Sequence, residues 1–349
     1  MFGAAFFMLT RYEELVSPRR DEHERFPASE SIAAREGFLF RPIVNEYAEL
    51  LWASFARLWP GLERRRHAYR ERPTHDVDHP FTAHRQAWRQ LAWAVADLTR
   101  RGDAALSARR LRWLARGAGP ERDPMNTFEL LMDLSEERGL VSAFYFIAGP
   151  TAAALDGDYS LEAPWIRGLL RRIHARGHEI GLHTSYATFR DPERTRAESE
   201  RLKRVCREEG IEQEAWGGRQ HYLRWENPTT WQNWEDAGLD YDSTVGFADS
   251  PGFRSGTCFE HPVFNLATRR TLRLRERPLV LMEHAALGGL GLNGRSAVEL
   301  VSELREVCRR FSGDFVLLWH NSQLLGRRAK ELYVQALSGA HAAAALRHD

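Results

Sequence analysis

From about residue 71 onward, short apolar stretches alternate with longer amphipathic ones along the chain. The short stretches end in polar residues and predict strands at 73–78, 141–147, 178–184, 214–223, 239–245, 279–283 and 315–320. Between them, apolar residues recur at helical spacing. This alternation is typical of a βα-repeat fold, so we predict an α/β chain whose strands, about seven in number, run parallel.

Capping residues followed by proline mark the starts of the predicted helices, and glycines mark their ends. These signals predict helices that begin near 123 and after 228, and helices that span 164–176, 191–210, 296–311 and 327–349. Residues 1–70 lack the alternation, although residues 44–58 have apolar positions at helical spacing. We therefore predict an accessory segment over 1–70, a barrel domain over 71–325 and a helical tail over 326–349.

Composition narrows the class of protein and its location. The 349 residues are 43% hydrophobic and 28% charged, which is ordinary for a soluble globular protein. The net charge of +1 gives no electrostatic surplus for binding nucleic acid or an anionic membrane. Three cysteines without a CxxC pair disfavour a cysteine zinc site or a disulfide scaffold.

The apolar N-terminal run is too short to span a membrane and lacks the basic start of a secretory signal. A cytoplasmic location is expected.

Polar residues that are suited to catalysis lie at or just after four of the predicted strands. They are Asp76 with Asp78, His183, His221 and His320. In a barrel of parallel strands, the carboxyl ends of the strands form one rim, and active sites are built on that rim. Four such coincidences indicate a site more strongly than any single motif does.

Asp76 and Asp78 project from the same face of their strand, because side chains alternate along a strand. Two neighbouring carboxylates are costly unless they share a cation or a proton. One can ligate a metal while the other takes a proton from water; the alternative is an aspartate cluster in a turn beside Pro80. His183 at a strand tip suits a neutral imidazole ligand, and we favour that over a merely hydrogen-bonded histidine.

The stretch from Gly217 to Trp225 contains His221, which suits a metal ligand, a substrate hydrogen-bond donor or a structural residue. Its Arg219 and Arg224 are able to stabilise a carboxylate or a developing oxyanion, unless they are surface arginines of a loop. His320 ends an apolar strand and is placed to protonate a leaving amine, or simply to cap that strand. The stretches 241–244 and 252–257 and Glu283 are weaker candidates for the same rim.

Together these residues resemble the polysaccharide deacetylase superfamily, carbohydrate esterases with a distorted barrel of parallel strands. Residues 74–78 are similar to the first motif of that family, His183-Thr184 to the second and His320 to the last, while Arg224 with Pro228 is a loose match to the third. The chain also resembles a bacterial subgroup associated with surface polysaccharide genes, and this likeness extends into residues 9–23. One departure is Ala187, where the second motif of the family has another histidine.

The resemblance implies a hydrolase that removes the acetyl group from an N-acetylated sugar or oligosaccharide and releases acetate. A divalent metal, with zinc as the first candidate, is expected on Asp78 and His183, with His221 as the third ligand. Asp76 is expected to act as general base, Arg224 to orient Asp76 or the substrate, and His320 to act as general acid; the roles of Asp76 and Asp78 are interchangeable. The residues expected to bind substrate are Arg219, Tyr222, Arg254 and Trp319.

Two other functions remain open on the sequence. Ala187 favours a non-catalytic sugar-binding or assembly protein that kept the barrel but lost full metal affinity. A hydrolase that cleaves a glycosidic bond with two carboxylates is the second alternative. Asp76 and Asp78 lie only two residues apart and cannot flank such a bond, so Glu283 would have to be the partner.

Overall fold

The computed structural model describes residues 1–81, 87–99, 102–116, 119–152, 155–157, 159–292 and 294–342. Its helices are α1 (Phe2–Leu9), α2 (Tyr12–Val16), α3 (Ile32–Arg35), α4 (Ile43–Leu58), α5 (Ala87–Thr99), α6 (Ala104–Arg116), α7 (Phe128–Glu136), α8 (Pro164–Ala175), α9 (Pro192–Glu208), α10 (Thr229–Asp236), α11 (Gly294–Arg310) and α12 (Arg327–Ala342). Its strands are β1 (Arg70–Val77), β2 (Ala143–Ile147), β3 (Glu179–Thr184), β4 (Gly217–Gln220), β5 (Tyr241–Asp242), β6 (His261–Asn265), β7 (Arg270–Glu276), β8 (Leu281–Met282) and β9 (Asp314–Leu318).

The nine strands form one sheet in the order β6-β7-β5-β4-β3-β2-β1-β9-β8. Every pair from β7 to β8 along that order is parallel, and only β6 runs antiparallel to its neighbour β7. The segment between β7 and β8 bridges the two sides of the curled sheet: Leu279 N–H donates to Val245 O at 3.2 Å, and Val280 N–H donates to Val316 O at 3.1 Å. The predicted α/β fold, a distorted barrel of parallel strands, is confirmed.

The core lies between the sheet and the surrounding helices. Strand β2 is buried along its whole length, and its Phe144 and Phe146 share one core cluster with Leu131 of α7 and Ile166 of α8. Close approach of β3 and β4 depends on glycine. A Cβ built on Gly218 would lie only 1.8 Å from Leu182 O, so a larger residue there would push the two strands apart. Both strands carry candidate site residues, so this contact sets the spacing of the site.

Several predicted elements are shorter or displaced. The strand expected over 239–245 is the two-residue β5, and the one expected over 214–223 ends at Gln220 and continues as a 3₁₀ turn, His221–Leu223. The helix expected near 123 begins at Phe128, because Asp123 Oδ1 instead accepts from Met125 N–H at 2.8 Å in the preceding turn. The hairpin of β6 and β7 and the helices α5 and α6 were not predicted. Of the predicted C-terminal helix, residues 343–349 lie outside the described residues.

The N-terminal segment packs on the barrel through buried polar contacts. Glu14 accepts from Arg254 at 2.5 Å and from Arg11 at 2.9 Å, and all three side chains are buried. Asn227 donates to the carbonyl groups of Thr10 and Arg11 at 2.7 and 2.8 Å. The apolar start of the chain forms helix α1. Across the described ranges, no helix has the length and apolar character needed to cross a bilayer.

Candidate active site

A cavity of about 380 Å³ opens at the carboxyl ends of the parallel strands. Its polar lining comes mainly from residues at or just after strands that are far apart in the sequence. These lining residues include Asp76 and Asp78 from β1, His183 from β3, His221 and Tyr222 after β4, His284 after β8, and His320 after β9. The cavity is therefore where the sequence predicted a site.

Strand β1 places its two aspartates by alternation. His75 points away from the cavity, where Nδ1 lies 2.7 Å from Trp319 O and the ring packs on Phe144. Asp76 and Asp78, on either side of Val77, consequently face the barrel interior. Asp76 is only 2% exposed, and Asp78, one residue beyond the strand, reaches the cavity.

Three side chains converge on one point of this cavity. Asp78 Oδ1 lies 3.2 Å from His183 Nε2 and 3.4 Å from His221 Nε2. The three ligand-type atoms lie within 4.8 Å of one another. Asp78 Oδ1 and His183 Nε2 are buried, and outside this cluster neither has a hydrogen-bond partner among the described residues. Buried polar atoms without partners are costly, which indicates that these atoms are directed at a bound group.

The far nitrogens of both imidazoles are fixed by acceptors. His183 Nδ1 lies 2.8 Å from Arg219 O, and His221 Nδ1 lies 2.8 Å from Asp156 Oδ1. Carbonyl and carboxylate oxygens accept only, so each Nδ1 carries a proton, and in the neutral imidazole each Nε2 presents a lone pair toward Asp78. One carboxylate and two imidazoles oriented in this way fit a divalent metal such as zinc.

Neighbouring side chains in the cluster shift the pKa values of Asp78 and His183. Burial opposes ionisation of Asp78, but the imidazoles of His221, His183 and His320 hold the pKa of its carboxyl well below the usual range. Burial likewise opposes protonation of His183, and the carboxylates of Asp76 and Asp78 raise its pKa. The site therefore holds Asp78 ionised and ready to bind a cation.

Asp76 is held by Arg219 from strand β4. Arg219 Nη1 donates to Asp76 Oδ1 at 2.8 Å, while Asp76 Oδ2 lies 3.8 Å from His183 Nε2. The guanidinium is fully buried and is fixed further by Ser243 O at 2.8 Å and by the Tyr145 ring, 5.1 Å from it. Arg219 thus positions the Asp76 carboxylate beside the three converging atoms.

His320 approaches the cluster from the opposite side. Its Nδ1 lies 2.5 Å from Glu283 Oε1, and its Nε2 lies 3.6 Å from Asp78 Oδ2. Burial alone would lower the pKa of His320, but the Glu283 carboxylate and then Asp78 raise it to about 10. Burial opposes ionisation of Glu283, whereas His320 and His284 lower its pKa to about 2. Glu283, His284 and His320 form a second group of ligand-type atoms.

Other predicted site residues lie elsewhere. The arginine that contacts Asp76 is Arg219 rather than Arg224, because Arg224 donates to His23 O at 3.0 Å and Tyr186 O at 2.6 Å and stacks on the Tyr186 ring. Arg254 is buried against Glu14, outside the cavity lining. Trp319 packs in the core, 5.1 Å from the Tyr333 ring. Of the four residues expected to bind substrate, Tyr222 lines the cavity.

Sequence reasoning missed the partners of the candidate ligands. Asp156, in the loop after β2, belongs to no recognised motif, and only its place after a parallel strand could have indicated it. Glu283 was a weak candidate until its contact with His320 was known. Arg25 lines the cavity from the N-terminal segment, where no motif indicates a site residue.

The fold is an α/β barrel. At the carboxyl ends of its strands lies a cluster of side chains of the kinds that bind metal ions. One family model matches residues 1–60, and it describes a family of unknown function, DUF7033. No curated protein sequence matches the chain.

Several solved structures are similar to the chain. A Mycobacterium smegmatis protein assigned as a polysaccharide deacetylase is 18% identical, with 80% of this chain and 86% of that one covered and a TM-score of 0.47. Puue allantoinase is 14% identical, with 83% and 87% covered and a TM-score of 0.42. A Pseudomonas aeruginosa PAO1 protein assigned as a polysaccharide deacetylase is 14% identical, with 80% and 86% covered and a TM-score of 0.41.

Proposed function

We propose that this protein is a metal-dependent hydrolase that removes the acetyl group from an N-acetylated sugar in surface-polysaccharide metabolism. The convergence of Asp78 Oδ1, His183 Nε2 and His221 Nε2 carries the proposal, since two of these buried atoms have no hydrogen-bond partner outside the cluster in the described ranges. An arginine-held carboxylate and a protonated histidine flank them. Amide hydrolysis needs these parts: a cation, a base and an acid.

Asp78, His183 and His221 would hold the metal, with zinc as the first candidate. When bound, such an ion polarises the acetamide carbonyl and lowers the pKa of a water molecule. His221 supplies a third ligand although Ala187 stands where the family motif has a histidine. Asp156 orients His221, as carboxylates commonly orient metal-binding imidazoles.

Proton transfer is assigned to two groups on opposite sides of Asp78. Asp76 accepts the proton of the attacking water, and Arg219 keeps its carboxylate in place. His320, protonated because Glu283 raises its pKa to about 10, donates a proton to the departing nitrogen. The carbon–nitrogen bond breaks, and the products are acetate and a free amino sugar.

The two alternative functions fit the site less well. Glu283 is 2% exposed, is engaged by His320 and is not part of the cavity lining, so it is poorly placed to pair with Asp76 across a glycosidic bond. A protein that only binds sugar would need neither the fixed imidazole tautomers nor the Glu283–His320 pair.

Metal content and acetate release test the proposal together. Elemental analysis of the full chain is expected to show near-stoichiometric metal, and both His183→Ala and His221→Ala are expected to lose it. His174→Ala, on the outer helix α8, is the matched control and should keep the metal. Wild type should release acetate from N-acetylated oligosaccharides and the two site variants should not. Wild type that binds no metal after incubation with zinc, cobalt or nickel contradicts the proposal.

A further inference from the structure

Part of the cavity wall comes from the N-terminal segment rather than from the barrel. Residues 21–25, which we call the rim segment, lie beside the turn that follows β4. The His23 ring lies 4.7 Å from the Tyr222 ring, and His23 Nδ1 lies 3.0 Å from the Tyr186 hydroxyl. Arg224 clamps the rim segment by donating to His23 O at 3.0 Å and to Glu24 at 3.1 Å.

Arg25 is held in a defined position at this rim. Its Nε donates to Asp21 Oδ2 at 2.7 Å, and its Nη1 donates to Tyr222 O at 3.2 Å. Asp21 Oδ1 in turn accepts from the backbone N–H groups of His23 and Arg25, at 2.9 and 2.8 Å. Within the described part of the chain no hydrogen bond engages Arg25 Nη2, and the side chain is 21% exposed where it lines the cavity. The guanidinium is therefore fixed through Nε and Nη1, and Nη2 is available to a ligand.

The turn that Arg25 contacts has an unusual backbone. Tyr222 and Leu223 have φ angles of 60° and 56°, a left-handed conformation that non-glycine residues rarely adopt, and here it occurs twice in succession. Strain of this kind persists only where surrounding contacts enforce it, and it concentrates at functional sites. Contacts from His23, Arg25 and Tyr186 provide that enforcement, and they hold Tyr222 at the cavity.

Charges in the cavity point to what Arg25 does. Asp76 and Asp78 are already matched by Arg219 and by three imidazoles. Arg25 is the one arginine or lysine in the lining formed by the described residues. The charged N–H donors of a guanidinium recognise carboxylate and phosphate groups, and Arg25 Nη2 offers two of them.

We propose that Arg25 forms a subsite for an anionic group, a carboxylate or a phosphate, carried by the sugar that enters this cavity. The identity of the ligand as a sugar rests on the proposed function; the anion subsite itself does not. The N-terminal segment thereby contributes to substrate choice, while the barrel carries the chemistry.

Direct binding tests the subsite without requiring turnover. Calorimetry on the full chain would compare neutral N-acetylglucosamine with N-acetylmuramic acid, which carries a carboxylate, and with N-acetylglucosamine 1-phosphate. Wild type is expected to bind at least one anionic probe about tenfold or more tightly than the neutral probe. The anionic probe that binds more tightly shows whether the recognised group is a carboxylate or a phosphate. Arg25→Gln should abolish this preference, and Arg25→Lys should keep only part of it.

Arg19→Gln is the matched control, because Arg19 is an exposed arginine just before the rim segment, and the preference should survive there. If Arg25 only braced the Tyr222 turn, Arg25→Gln would weaken the neutral and anionic probes by the same factor. That result would overturn the proposal. So would an anion preference that survives in Arg25→Gln, and so would the absence of measurable binding of either anionic probe to wild type. Acetate release, measured separately, reports on the proposed function: a protein that deacetylates but shows no Arg25-dependent preference disproves the subsite alone.

Discussion

Two pairs of buried carboxylates lie in the same barrel, and their surroundings are opposite. Asp76 and Asp78 lie at the end of β1 against Arg219 and three imidazoles, and the pKa of Asp78 is held well below its usual range. Asp242 and Glu276 lie side by side on β5 and β7. Burial, only partly offset by hydrogen bonds from Thr244, raises the pKa of Asp242 to about 7. Burial and then Asp242 raise the pKa of Glu276.

The difference shows that neighbouring groups, rather than the carboxylates themselves, decide what such a pair does. The Asp242–Glu276 pair accepts neutral donors: Thr244, the Trp231 indole at 3.0 Å and Val245 N–H at 3.0 Å. A proton retained by that pair avoids two adjacent charges buried on neighbouring strands. Asp78 instead keeps its charge beside the imidazoles, which is the condition for binding a cation.

The largest effect is expected from Asp76→Asn. The substitution keeps the shape and one acceptor of the side chain but removes its ability to take a proton. The rate of acetate release should fall by about 10²–10⁴-fold, which is the usual contribution of a general base. Elemental analysis should still find the metal, since the proposed ligands are intact. Wild-type activity in this variant would show that Asp76 and Asp78 exchange roles or that neither is the base.

Arg219→Gln should have the next largest effect, on stability. It leaves the Asp76 carboxylate buried without its cation, which typically costs about 3–5 kcal/mol of unfolding free energy. Urea denaturation in the presence of a chelator would measure this cost. The double variant Asp76→Asn/Arg219→Gln should recover part of it, because no uncompensated carboxylate remains at position 76. If the losses of unfolding free energy in the two single variants simply added up in the double variant, the two side chains would not depend on each other.

Asp242→Asn should produce the smallest effect, and one that depends on pH. The folded-state pKa of about 7 lies above the usual aspartate value of 3.8, so the protonated carboxyl stabilises the fold at low pH. This stability is lost as pH rises from about 4 through 7, and the part lost between about pH 5 and pH 8 amounts to about 3 kcal/mol. Urea denaturation at about pH 5 and about pH 8 should therefore show wild type losing more stability than the variant. Equal losses in the two proteins would remove Asp242 as the titrating group.

Much of the fold could be predicted because its strands are short apolar runs that end in polar residues. Elements that break this pattern were missed. Strand β7 (Arg270–Glu276) alternates charged and apolar residues next to the edge strand β6, and β5 keeps only two residues of the strand predicted over 239–245. Both deviations arise where the sheet ends in a hairpin, and pairing with a distant partner, rather than local sequence, decides the outcome there.

The residues of the candidate site likewise fall into those that could be predicted from the sequence and those that could not. Asp76, Asp78, His183, His221 and His320 could be predicted to share a rim, and the structure brings them into one cavity; their roles stay predictions. Their partners could not be predicted, because Asp156 and Glu283 are matched to His221 and His320 only in three dimensions. Arg219 and Arg224 lie five residues apart in one stretch, and nothing local indicates which of them turns inward. The close contact of Gly218 with Leu182 places Arg219 inside the barrel.

The buried contact between Glu14 and Arg254 has a consequence for how this chain can vary over evolutionary time. The N-terminal segment provides the counter-ion of an arginine that is sealed inside the barrel, 240 positions away. Recombination that joined this barrel to an unrelated N-terminal segment would leave Arg254 buried without this counter-ion. Glu14, moved elsewhere with residues 1–60, would keep only Arg11 of its two arginine partners. The two parts are therefore expected to be inherited together, as a single unit of descent.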